Sequence, residues 1–256
     1  MPHKKYLERQ IELHKNLVPA YEKRYGVPYS VFYSKKRNEY LINMFNNQSF
    51  DRVLDLGCGT GLTIKSLSTN FIEVYGLDLS MDMLNLRDNS DAAVKGFLRG
   101  DAERIPFKSG KFSHVVVKGM LHHLENYEDS LSEVNRILIS GGEIIVSEPS
   151  KDAFLLRFSR KILYKLSSEF DESDEGFKQK ELAESLKNVG FRVTKIERFG
   201  FFGYLLAQFP DKISILSKLP FNIAITRFLI FIDKILVKIP LIKSLSFHVI
   251  ILAQKI

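Results

Sequence analysis

Gly57, Gly59 and Gly61 stand at alternate positions directly after an apolar run, Val53-Leu54-Asp55-Leu56, that carries one acid. Side-chain-free residues at that spacing admit positive φ and let main-chain N–H groups close on a ligand, so the chemistry on offer is the cradling of a nucleotide-like cofactor. The dinucleotide pattern G-x-G-x-x-G would place its third glycine at position 62, where Leu62 stands, which argues against a nicotinamide oxidoreductase. A second apolar run ends in Asp78, whose carboxylate can accept both hydroxyls of a ribose. Read alone, Asp78 is more often a capping or turn acid. His122 and His123 follow the apolar stretch Phe112–Lys118, and a neutral imidazole is suited to base work. Neighbouring side chains point apart, so one of the two is expected to face an acceptor, with His122 slightly favoured. A histidine that merely bonds its own loop is the competing reading.

The nine residues from Val53 to Gly61 (VLDLGCGTG) resemble motif I of the class I S-adenosylmethionine-dependent methyltransferases, and the order of the later segments is similar to the small-molecule, type 11-like members of that family. The resemblance implies S-adenosyl-L-methionine as cofactor, cradled at Gly57, Cys58, Gly59 and Gly61, with Asp78 on the ribose and Leu79 and Met83 flanking the adenine. It implies Asp101, within Gly100-Asp101-Ala102-Glu103, at the exocyclic amine, with Ala102 as its backbone neighbour. Asp55 is implied near the methionine amino group or as a support of the loop, and Lys118 joins the cofactor set at the end of the fourth strand. Tyr21 and Tyr25 are implied as substrate contacts that close over the methyl site. Cys58, the one cysteine, is read as a small residue in a tight loop, because methyl transfer from a sulfonium needs no covalent enzyme intermediate.

The elements that must position these groups alternate between strand and helix over residues 49–148, which predicts parallel pairing with right-handed crossovers. Ser80 reads as an N-cap, and Gly141-Gly142-Glu143 turns into a fifth strand at Ile144 to Ser147. A helix over 178–189 is closed by Gly190, a strand runs from Phe191 to Phe199, and the last strand runs from Phe247 to Gln254. The resemblance implies an α/β, Rossmann-like seven-stranded sheet in the order 3-2-1-4-5-7-6, the last strand antiparallel, with helices on both faces and a helical lid. Helical spacing over 4–18 and 31–46 supplies the lid. Tyr21, Tyr25, Tyr29 and Tyr33 recur every four residues there, and Pro28 speaks against one helix through all four.

At 256 residues and 45% hydrophobic content, the chain is expected to form a single domain: 1–48 a helical lid, 49–200 with 246–256 the cofactor-binding core, and 201–245 an apolar and basic helical insertion. A lone cysteine and a charged N-terminus without an apolar leader point to a reducing, cytoplasmic setting. Residues 1–40 hold nine Lys or Arg against four acids, and 205–245 hold six against two, so the +7 of the chain lies in its flanks. No run in 205–245 reaches the roughly 18 apolar residues of a membrane span. A lid of that composition suits a hydrophobic or anionic small-molecule acceptor, or peripheral contact with a membrane surface; a solvated amphipathic core helix is the bland alternative. The Asn/Asp-Pro-Pro-Tyr/Phe signature of amine-methylating members is replaced by Lys118-Gly119-Met120-Leu121, which disfavours adenine or glutamine as acceptor. No metal-spaced cluster is expected. A transfer-RNA wobble-base methyltransferase, compatible with a pI near 9.3, and a non-catalytic cofactor-binding protein stay open as alternatives, though the charge of the basic flanks is diluted with Leu, Ile and Phe.

Overall fold

The computed structural model describes residues 2–46, 51–86, 92–152 and 176–256. Seven strands form one sheet: β1 (Arg52–Leu56), β2 (Glu73–Asp78), β3 (Val94–Arg99), β4 (Phe112–Lys118), β5 (Leu138–Pro149), β6 (Phe191–Phe199) and β7 (His248–Lys255). Their spatial order is β3-β2-β1-β4-β5-β7-β6, with β7 antiparallel to both of its neighbours. The order is the one the sequence led us to expect. Strands β1, β4 and β5 carry the apolar runs Val53-Leu54, Val115-Val116-Val117 and Ile144-Ile145-Val146 because both faces of the sheet are covered there. One face packs Leu54, Val115, Val117 and Ile144 against Leu131 and Val134 of α5 (Tyr127–Ile137) and Leu182 and Leu186 of α6 (Gln179–Asn188). The other packs Val53, Val116, Ile145 and Ile250 against Leu41 of α2 (Pro28–Ile42) and Ile64 of α3 (Leu62–Leu67).

Three boundaries differ from expectation. The first helix, α1 (Pro2–Gly26), continues through Pro19 instead of ending near residue 18, and α2 begins at Pro28. Proline suits the first turn of α2, where its missing N–H is not needed, so the chain breaks at Val27. Strand β5 starts at Leu138, six residues ahead of Ile144, because Leu138 pairs with Phe112 before the chain bulges through Gly141 at φ 74° and rejoins the ladder at Glu143. Tyr29 and Tyr33 are core residues packed with Ala207 and Leu216, so that part of the tyrosine stripe is packing.

Strands β6 and β7 are joined by a long excursion that leaves and re-enters at the same edge, where the Phe247 N–H donates to the Gly200 carbonyl at 2.9 Å. Within it lie α7 (Phe202–Ala207), a 3-10 turn at Ile215–Lys218, α8 (Asn222–Leu236) and α9 (Pro240–Lys243). Helix α8 packs on α2 and α7, and no described helix is long and apolar enough to cross a membrane.

Candidate active site

At the carboxyl end of the parallel strands, the turn after β1 is held shut by two N–H groups, those of Gly57 and Cys58, donating to the Leu77 carbonyl at 2.8 and 3.1 Å. Gly57, Gly59 and Gly61 all have positive φ. A Cβ on Gly57 would meet Met120 Cγ at 2.4 Å, whereas a Cβ on Gly59 would meet no protein atom within 4 Å. Gly57 is therefore a packing requirement and Gly59 a bared edge of a cavity of about 330 Å³, a size in the range of small-molecule sites. Cys58 is buried, its sulfur against Gly76, in keeping with a small residue filling the loop.

Asp78 ends β2 on the cavity wall and orders the turn, accepting from Gly59 N at 2.7 Å and Ser80 N at 2.8 Å. Each oxygen keeps a second lone pair for a hydroxyl. Ser80 caps α4 (Met81–Leu84) through Met83 N, which sets Met83 beside Leu79 on the wall. Asp101 and Ala102 line the same cavity, and Asp101 Oδ1 accepts from Glu103 N at 2.9 Å.

Asp55 is brought close but stays off the wall. It is buried in β1 with one carboxylate oxygen unbonded, facing Lys118. Burial pushes its carboxyl well above the usual range against the pull of Lys118, while burial and the nearby Arg37 push the Lys118 ammonium down. Lys118 Nζ donates to Asn38 Oδ1 at 3.0 Å and Thr63 Oγ1 at 2.5 Å, clamping α2 to α3 under the glycine turn. An open-faced glycine, an acid with lone pairs to spare and flanking apolar side chains together fit an adenosyl sulfonium.

His122 and His123 both line the cavity, contrary to the expectation that one would turn away. They sit in a 3-10 turn, Leu121–His123, whose tight winding lets neighbouring rings lie 4.0 Å apart, tilted by 40°. His122 Nδ1 lies 2.7 Å from Glu148 Oε2, and the other oxygen of Glu148 accepts from the Met120 and Leu121 N–H groups at 2.9 Å each. With Nδ1–H donating to the buried Glu148 carboxylate, Nε2 is left as the acceptor. Glu148 carries no motif of its own, yet it ends β5 at the ligand edge as Asp78 ends β2, and that position was the available signal.

Helix α1 crosses the cavity. Leu13, His14, Leu17 and Tyr21 line it, with the His14 ring 5.6 Å from that of His123. Tyr25 lies on the same helix, its side chain outside those described. Arg24 donates twice to Asp211, at 2.6 and 2.8 Å, in a buried pair that ties α1 to the β6–β7 excursion, whose Tyr204, Leu205 and Phe209 complete the wall. Arg37, also lining it, donates to Ser147 Oγ at 3.3 Å and contacts His248 Nδ1 at 3.2 Å. Among the described residues no group of His, Cys, Asp and Glu is arranged to hold a metal.

Gly57, Gly59, Asp78 and Asp101 meet on one cavity at the carboxyl edge of a 3-2-1-4-5-7-6 sheet, an arrangement of the methyltransferase type. A family model described as a methyltransferase domain matches residues 54–146. Demethylmenaquinone methyltransferase of Staphylococcus saprophyticus is 30% identical over 176 residues, spanning 60% of this chain and 76% of that protein. A SAM-dependent methyltransferase from Thermotoga maritima superposes with a TM-score of 0.64 at 20% identity, over 96% of this chain and 99% of that one. Phosphoethanolamine N-methyltransferase 2 of Haemonchus contortus, solved with S-adenosyl-L-methionine, gives 0.60 at 17% identity, over 94% and 59%. The chain belongs to the class I S-adenosylmethionine-dependent methyltransferases, and S-adenosyl-L-methionine is its methyl donor.

Proposed function

We propose that the protein methylates a small, hydrophobic acceptor that carries an ionisable hydroxyl, of the quinol kind, and that His122 accepts the hydroxyl proton as the acceptor attacks. The carrying observation is His122, held by Glu148, on the wall of a cavity to which Leu13, Leu17, Leu205 and Phe209 also contribute. The demethylmenaquinone methyltransferase relative supports the acceptor class. When bound, the cofactor supplies a methyl group already made electrophilic by its sulfonium. What this chain adds is alignment and dryness: Asp78 and the glycine turn fix the donor end, while α1 and the excursion, acting as a lid, keep water out. Glu148 holds the His122 tautomer, so that the proton leaves the acceptor hydroxyl for Nε2 and the oxygen's electrons become available to the attacking oxygen or ring carbon. Tyr21 is proposed to border the acceptor. Such acceptors dissolve in lipid, and contact with a membrane surface through 205–245 belongs to the same reading.

The test is direct. Incubation with labelled cofactor and a demethylated naphthoquinol should move label into the quinol, and His122→Ala should slow turnover by about a hundredfold or more. Label that enters only transfer RNA or a polar amine would dismiss the acceptor class.

A further inference from the structure

Helix α8 packs Ile225, Leu229 and Ile230 against the cluster around Tyr29 and Tyr33, yet its outward face is apolar as well. Its two fully enclosed side chains are polar: Thr226 is 0% exposed and Asp233 6%. Asp233 is consumed internally, accepting from Phe201 N and Gly203 N at 2.9 and 3.1 Å at the start of α7. Thr226 bonds the Asn222 carbonyl one turn back. The opposite face presents Phe228 at 60% and Phe231 at 57% exposure, one turn apart, followed by Ile235. Phe221 and Leu241, at the two flanks, are 83% and 86% exposed. A helix that is apolar on its packed face and again on its outward face, with its acid buried, departs from an ordinary surface helix.

The charges around that face all have one sign. Lys218, Arg227, Lys234, Lys238 and Lys243 are exposed, whereas the two acids of 205–245 are withdrawn, Asp233 as above and Asp211 into its pair with Arg24. A second copy of the chain would bring like charges together, and an acidic protein surface would not accommodate bare phenyl rings. Apolar side chains rimmed by basic ones match the boundary between acyl chains and anionic headgroups.

We propose that the outward face of α8, with Phe228, Phe231 and Ile235 inserted and Arg227, Lys234 and Lys238 on the headgroups, docks the protein on an anionic bilayer. The α7 end of the same excursion forms part of the cavity wall, so docking brings that wall close to lipid. The proposal rests on the lipid-soluble acceptor for its purpose, but binding is read with no acceptor present.

The experiment is co-sedimentation of the full chain with vesicles of phosphatidylcholine containing about one third phosphatidylglycerol, and with phosphatidylcholine alone. The native protein should partition onto the anionic vesicles and be released by salt. The double variant Phe228→Asp/Phe231→Asp, on exposed positions, should lose at least about tenfold in partitioning while its melting temperature and cofactor affinity hold. Lys234→Glu/Lys238→Glu should erase the preference for anionic lipid. Equal partitioning of native and variants overturns the proposal, as does absence of binding at low salt, or light scattering that shows dimers split by the phenylalanine changes. Vesicle binding without quinol methylation would remove the acceptor reading and leave docking intact; the converse result would do the opposite.

Discussion

Glu148 is a single side chain with three donors to serve, and its replacement separates positioning from bulk. Glu148→Gln keeps an oxygen for the Met120 and Leu121 amides but turns an N–H toward His122 Nδ1, which forces the imidazole proton onto Nε2. Turnover should fall by about a hundredfold with the cofactor KM nearly unchanged, and steady-state kinetics that show native turnover would refute tautomer control. Gly59→Ala should fold, because the strain at its φ of 53° costs only ~1–2 kcal/mol and no protein atom is in the way, yet bind cofactor at least about tenfold more weakly by calorimetry. Asp55 yields a pH effect. Its carboxyl is raised in the folded state, so the stability it contributes is complete below the ordinary carboxylate pKa and is lost as pH climbs through the raised value. Asp55→Asn should thus gain in melting temperature, relative to the native chain, between about pH 5 and about pH 8; a constant difference would contradict the burial account. The glycines and Asp78 were legible because backbone freedom and a strand-ending acid leave a local pattern. Glu148 was not, since its partner stands 26 positions earlier and nothing in either local sequence records the meeting.

Among elements, α1 is fastened to the excursion by a buried bidentate pair, Arg24 with Asp211. Removing one partner of such a pair strands the other charge, at a cost of ~3–5 kcal/mol where the surroundings cannot relax. Asp211→Ala should speed amide exchange along α1 and raise the cofactor KM, while exchange in β1, β4 and β5 stays slow; uniform change across the sheet would show that the pair is not a local fastening. The strands were readable from apolar runs closed by glycine or acid, and β4 and β6 match their expected spans residue for residue. Helix α1 runs on past the helical spacing read over 4–18, through Pro19 to Gly26, and carries Leu13, Leu17 and Tyr21 along one side of the cavity. The early start of β5 depends on pairing with Phe112, a long-range contact that a one-dimensional pattern does not contain.

For the molecule as a whole, ligand linkage is the broadest test. Cofactor at about a hundred times its Kd should stabilise the folded chain by ~2.7 kcal/mol and raise the melting temperature by roughly 5 to 10 °C. It should also protect α1 from limited proteolysis, and a melting curve indifferent to the cofactor would contradict the cradle itself. The concentration of positive charge in the flanks was visible from the sequence, but not that the acids of 205–245 turn inward, because exposure is a property of the packed molecule.

The hydrogen bond between Gly200 and Phe247 closes the β6–β7 excursion at its base, so residues 201–246 depart from and return to one spot on the sheet edge. The glycine turn, Asp78, Asp101 and the paired histidines all lie between β1 and the turn after β4, outside that detour. Lineages sharing this scaffold are consequently free to trade one detour for another, changing which molecule receives the methyl group while inheriting the half that delivers it.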